Sequence, residues 1–226
     1  MTEPHGARSG AAVRVLLGAG MVGAAGAGIG VARHLAGRRH RAEATPTPEP
    51  DPVPALRLRP AFPEAQDAGQ ALRDAGLTVA VAESCTGGLL GAALTALPGS
   101  SEYVAGGVIA YSDEVKRTLL AVPSEVLRRE GAVSEPTAVA MAEGVRAVLG
   151  ASVGVSITGI AGPAADGSSK PVGLVYVCVA GPGLERAVQV IHRDRGREAN
   201  RAEAVHTALR MLRDAAAGRP GPEERR

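Results

Sequence analysis

Aromatic residues are nearly missing: the 226-residue chain has no tryptophan, one phenylalanine and three tyrosines, although 45% of it is hydrophobic. Any core must therefore be built from valine, leucine, isoleucine and alanine, which suits helices packed on a sheet of Val/Ile-rich parallel strands. Cysteine is as scarce. Cys85 and Cys178 are too few for a disulfide framework and show no zinc-type spacing, and His5, His34, His40, His192 and His206 do not cluster. No metal or cofactor is expected. Nor is there an excess of one charge: 25 basic and 23 acidic residues give a net charge of +2. No strong field for polyanions follows, and no nucleic-acid partner is expected. Lysine is the most informative absence. Only Lys116 and Lys170 occur, the other 23 cations being arginine. Arginine cannot give up its proton whereas lysine can, so these two are the first places to look for proton chemistry. Chance survival at the surface is the alternative.

The first 61 residues differ from the rest. Val15 to Ala32 is an uncharged, Gly/Ala-rich run of 18 residues followed by Arg33, His34, Arg38, Arg39, His40 and Arg41. Its length just reaches a membrane span, but glycine and alanine give it little transfer free energy. A secretory signal is disfavoured, because the basic residues follow the run more densely than they precede it. Gly18-Ala19-Gly20-Met21-Val22-Gly23 matches a dinucleotide fingerprint, yet the region about 20 residues on is Arg-rich and then Pro-rich, with no acid closing a second strand. Residues 1–44 are therefore read as a weak membrane anchor, a dispensable tail or the product of a miscalled start, in a cytoplasmic protein for which membrane contact is disfavoured. Residues 45–61, with Pro at 46, 48, 50, 52 and 54, form a linker. A single domain is expected over 62–217, followed by a disordered tail at 218–226.

Within that domain, apolar periodicity and caps predict helices over 63–75, 87–97, 124–130, 135–149 and 198–217, with another capped by Ser112. The helix over 135–149 carries apolar positions at Val139, Ala142, Val145, Ala147 and Val148. Strands are predicted at 77–82, 107–111, 153–157, 172–179 and 187–192, the last two as a hairpin about Gly181-Pro182-Gly183. The pattern gives a three-layer α/β/α sandwich with a mixed, mostly parallel sheet. An Ala/Val-rich helix surface would suit a homo-oligomer and equally the internal core.

In open α/β sheets ligands bind at the carboxyl ends of strands. Three predicted strand ends carry unusual residues: Glu83–Gly88, Tyr111–Lys116 and Thr158–Pro163. In the first, a hydroxyl sits beside unsatisfied N–H groups and the positive end of a helix, a setting that can stabilise an oxyanion. Thr86 is the candidate cap, and Gly87 and Gly88 let the backbone approach a ligand. Ser84 and Cys85 are both eligible nucleophiles. No histidine falls in the three loops, so the candidate base is Lys116, whose amine a closed pocket can keep neutral. The alternative makes Tyr111 a half-buried strand residue and Lys116 a surface partner of Asp113.

Five ordered segments, Ala82–Gly88, Gly107–Lys116, Gly131–Pro136, Gly159–Pro163 and Lys170–Gly173, resemble the motifs of the CinA C-terminal domain family, the nicotinamide-nucleotide amidases. The resemblance covers roughly residues 63–215. It implies hydrolysis of the carboxamide of nicotinamide mononucleotide, giving nicotinate mononucleotide and ammonia without a metal. By position it makes Ser84 the nucleophile, Lys116 its base and Tyr111 an assisting group. It places Thr86, Gly87 and Gly88 with Gly159, Ile160, Ala161 and Gly162 along the nucleotide, and Arg197 or Arg201 on its phosphate. A nucleotide-binding or regulatory module without turnover is the alternative. Two departures stand out. Ala164–Ser169 has less glycine than the family's loop, and residues 1–61 take the place of the N-terminal domain, similar to molybdopterin-binding proteins, that larger members carry.

Overall fold

The computed structural model describes residues 57–181 and 184–218. The uncharged run at 15–32, its basic flank, the proline repeats and the end of the chain beyond 218 lie outside the described residues. The expected linker ends before residue 61. Leu58–Ala61 form one helical turn, α1, and Leu58 packs against the core.

From there the elements alternate: α2 (Glu64–Asp74), β1 (Val79–Glu83), α3 (Leu89–Thr95), a 3-10 turn (Ser100–Glu102), β2 (Val104–Ile109), α4 (Asp113–Leu120), α5 (Ser124–Glu130), α6 (Glu135–Leu149), β3 (Val153–Gly159), β4 (Leu174–Gly181), β5 (Leu184–His192) and α7 (Arg197–Ala216). The sheet order is β2-β1-β3-β4-β5. β1 pairs parallel with β2 and β3, while the β3–β4 and β4–β5 pairings are antiparallel. Four of the five strands thus point the same way, as expected for a mixed, mostly parallel sheet.

The sheet's two faces are built differently, and strand alternation decides how. Val79, Val81, Val153, Val155, Ile157, Val175, Val177 and Val179 point to one face, where they meet Leu72, Leu90, Leu94, Leu209 and Leu212 of α2, α3 and α7. Most intervening residues, Ala80, Ala82, Gly154, Ser156, Cys178 and Ala180, are small and face α6 and α4, with the half-buried Tyr176 beside them. Small side chains let α6 lie close on the sheet. Ser156 Oγ donates to Ala138 O at 2.6 Å, and a Cβ at Gly154 would run into the carbonyl oxygen of Ala142. The result is the three-layer α/β/α sandwich read from the sequence.

The chain leaves β1 toward β2 on one side and later returns to β3 on the other. The carboxyl end of β1 therefore lies at a switch in strand order, where a crevice opens between diverging connections. Ser84 is the first residue beyond that end.

Candidate active site

The turn after β1 is held by two main-chain bonds from neighbouring strand ends. Ser84 N donates to Ile157 O at 2.9 Å, and Ala110 N donates to Glu83 O at 2.7 Å. All three strand ends singled out in the sequence thus converge. Gly87 and Gly88 have φ of +61° and +96°, values that favour glycine, and they fold the chain back so that Gly87 N reaches Ser84 O at 3.1 Å.

Lys116 enters from α4. Ser112 caps that helix by accepting from Val115 N, and the first turn so fixed sends Lys116 inward to 1% exposure. Its Nζ lies 3.3 Å from Ser84 Oγ, 2.9 Å from Ala110 O and 3.1 Å from Tyr111 O. The sequence's alternative, a surface pairing with Asp113, is not what forms. Burial pulls the Lys116 amine below its ordinary pKa, with the charge of Asp113 opposing the shift. Both carbonyls can only accept. A neutral amine has two N–H groups for them and one lone pair left for the Ser84 hydroxyl. Ser84 itself is 8% exposed.

Cys85, the rival nucleophile, packs into the core between the sheet and α7, and burial pushes its thiol up to about 11. At neutral pH it is a protonated packing residue, which leaves Ser84 as the nucleophile candidate.

Two expectations about the turn are corrected. Thr86 does not cap α3; its hydroxyl is buried without a hydrogen bond, and its carbonyl accepts from Arg201. The cap is Glu83, itself 1% exposed, whose carboxylate accepts from Gly88 N at 3.0 Å, Leu90 N at 3.1 Å and Gly91 N at 2.8 Å. The positive end of α3 is therefore already occupied by an internal anion and is not open to a ligand. The amides of Gly87 and Gly88 are engaged as well. Those of Cys85 and Thr86 remain as the donors that the turn itself does not use.

The third loop is fixed by α7. Arg197 donates to Gly162 O at 2.7 Å, Asn200 Nδ2 to Ala161 O at 3.1 Å, and Arg201 to Thr86 O at 2.7 Å. Spaced i, i+3 and i+4, the three side chains share one helix face. Each arginine thus spends one nitrogen on the protein and keeps other N–H groups. Gly159 is wedged against Val175, where no Cβ fits, Ile160 packs with Val133 and Leu174, and Ala161 joins the core. Tyr111 stands apart: its ring is 62% exposed, and its carbonyl rather than its phenol meets Lys116. Lys170, the other lysine, ties its loop to Glu130 O and Val133 O, each at 2.5 Å. Glu83 and Asn200 carried no assigned role in the sequence reading. An acid closing an apolar strand and an asparagine inside a helical period were the available signals. Among the described residues, no group of three or more His, Cys, Asp and Glu is arranged to hold a metal.

This geometry has counterparts. The CinA C-terminal domain model matches residues 63–216. A CinA-like protein of Parasynechococcus marenigrum is 54% identical over 143 residues, 63% of this chain and 34% of the relative. A CinA-like protein of Gemmatimonas aurantiaca is 53% identical over 153 residues, 68% of this chain and 35% of the relative. The chain thus spans about a third of the length of such curated relatives. Among solved structures, the competence/damage inducible protein CihA of Agrobacterium tumefaciens superposes with a TM-score of 0.64 at 37% identity, covering 71% of this chain and 96% of that one. A CinA superfamily protein of Klebsiella pneumoniae gives 0.67 at 33% identity, with 70% and 98% covered. The chain belongs to the CinA family and carries its C-terminal domain.

Proposed function

We propose that this domain is a serine–lysine amidase that hydrolyses the carboxamide of nicotinamide mononucleotide to nicotinate mononucleotide and ammonia. The observation that carries the reading is the buried Lys116 amine, with two carbonyls for its hydrogens and Ser84 Oγ at 3.3 Å for its lone pair.

Ser84 Oγ attacks the carboxamide carbon while its proton passes to Lys116 Nζ. The amides of Cys85 and Thr86 face the oxyanion that forms. The ammonium of Lys116 then protonates the departing nitrogen, the C–N bond breaks, and ammonia leaves a nicotinoyl ester on Ser84. Water adds to that ester, giving its proton to Lys116, and collapse returns the proton to Ser84 Oγ with release of the acid. Because Glu83 fills the end of α3, the phosphate falls to the remaining N–H groups of Arg197 and Arg201. Tyr111, exposed and apart from Ser84, would assist only through a bound substrate that reaches its ring.

The test is ammonia release from nicotinamide mononucleotide by the full chain in the presence of a chelator. Turnover is expected in the parent, with kcat lost by on the order of 10⁴-fold or more in Ser84→Ala and Lys116→Ala. Turnover surviving Ser84→Ala, or abolished by the chelator, sinks the mechanism. Nucleotide binding without turnover in the parent identifies a regulatory module instead.

A further inference from the structure

We infer that Glu83 is a positioning residue for the reaction: its carboxylate closes the nucleophile turn into a ring that fixes Ser84 Oγ and the amides of Cys85 and Thr86 together. The inference rests on the serine–lysine reading of the same site.

The ring follows from the bonds. Residues 83–88 leave β1 and return, through two positive-φ glycines, until Gly88 N meets Glu83 Oε2 at 3.0 Å. Gly87 N to Ser84 O, at 3.1 Å, braces the ring across its middle. Outside it, Oε2 also takes Leu90 N and Oε1 takes Gly91 N, at 3.1 and 2.8 Å, which anchors the ring to the first turn of α3. The same residue's main-chain oxygen takes Ala110 N at 2.7 Å, and Ala110 O is one of the two carbonyl acceptors of Lys116. Glu83 thus joins the helix that follows the nucleophile to the segment that holds the base.

Two oxygens serve three N–H groups, and only a carboxylate can do so here. Glutamine keeps the size but replaces one oxygen with an NH2 group. Whichever way it turns, at least one amide of the first turn, buried at Leu90 and partly buried at Gly88 and Gly91, faces a donor, and an amide so left moves to find another partner. The partners within reach are the acceptors of the turn that carries Ser84. Small misplacements of a reacting group cost on the order of 100-fold in rate. Glu83 does not touch Lys116, so its loss should displace the nucleophile and leave the base's ionisation alone.

The experiment compares the parent with Glu83→Gln and Glu83→Ala in the full chain, using two readouts. One is ammonia release from nicotinamide mononucleotide across pH. The other is the rate at which a fluorophosphonate adds to Ser84, followed by intact mass, which needs no natural substrate. For Glu83→Gln we expect folding retained by circular dichroism and kcat and labelling both lowered by about 10-fold to 100-fold. KM should stay within about twofold, and the pH midpoint of kcat/KM should not move. Glu83→Ala, if it folds, should be no faster; if it does not, Glu83→Gln decides alone. Unchanged labelling and kcat in Glu83→Gln overturn the inference, as does a fall in both with a shifted pH midpoint, which would make the role electrostatic. If the parent is labelled but releases no ammonia, the substrate reading fails and the labelling comparison still decides Glu83. If the parent does neither, both readings fall.

Discussion

Lys116 shows how one side chain can weaken the fold while serving the site. Its amine gives up hydration for two carbonyls and a hydroxyl, and burial lowers its pKa from the ordinary 10.5. In the window between that lowered value and 10.5 the unfolded chain binds more protons than the folded one, so stability rises with pH across it. In the proposed mechanism activity moves the same way, since the neutral amine would act as the base. We expect kcat/KM to climb from the acid side with a midpoint below that of an ordinary lysine. Lys116→Arg should be inactive at every pH, because guanidinium holds its proton. Lys116→Met should be inactive too, yet more resistant to urea at pH 7 than the parent, and its urea midpoint should rise less as pH climbs toward 10.5. A parent whose kcat/KM midpoint lies at that of an ordinary lysine would show that the amine is not desolvated. Above pH 9 Cys85 opposes this rise: raised from 9.0 to about 11, it contributes stability that is lost as pH climbs between those values, so a Cys85→Ala background isolates the Lys116 effect.

At the scale of elements, helix bounds were more legible than helix faces. Ser124–Glu130 and Glu135–Leu149 match their predicted bounds, because Ser134, Pro136 and Gly150 mark the second in the sequence and cap it in the structure. Of the apolar positions read on α6, Ala142 and Val145 are buried and the others are not. The structure buries Thr137, Ala138, Met141, Ala142 and Val145, while Ala147 and Val148 are exposed. This helix lies against the sheet's small-residue face and against α4, where close approach selects small side chains. Strand β2 was expected at 107–111 and runs over Val104–Ile109, since Ala105 and Gly106 break the apolar pattern on an edge strand. Helix α3 was expected from residue 87 and starts at Leu89, after the two positive-φ glycines. Gly144 supplies the test of close packing. In an isolated helix Gly→Ala gains about 1 kcal/mol, yet a Cβ here would be driven into the carbonyl oxygen of Leu120 at the end of α4. Overpacking of that kind costs about 1–3 kcal/mol. We expect Gly144→Ala to lower the urea midpoint, with turnover reduced in step as α4 and Lys116 shift. A raised midpoint would show that α4 and α6 are looser than drawn.

At the scale of the molecule, the site depends on segments that are far apart in the chain. The turn after β1 and α4 come from the first half of the domain, and Arg197, Asn200 and Arg201 come from the last helix. The order of motifs and the alternation of strands and helices made their convergence readable. The switch in strand order beside β1 was not, because pairing between distant strands leaves no local signature. One core spans this arrangement: Phe62 and Leu72 near its start share a cluster with Leu209 and Leu212 near its end. Such a core should unfold as a unit, and the chain's two cysteines can report on it. Cys85 lies in the layer of α2, α3 and α7, whereas Cys178 lies under α6 on the opposite face of the sheet. Both are buried, and the first 56 residues contain no cysteine to confuse the signal. At pH 8 we expect both thiols to resist alkylation in the native protein. Both should become reactive over the same range of urea, coincident with loss of helix by circular dichroism. Alkylation of Cys85 well before Cys178 would mean that the nucleophile turn and α7 open independently of the α6 layer, so that the site could be lost while half of the sandwich remains.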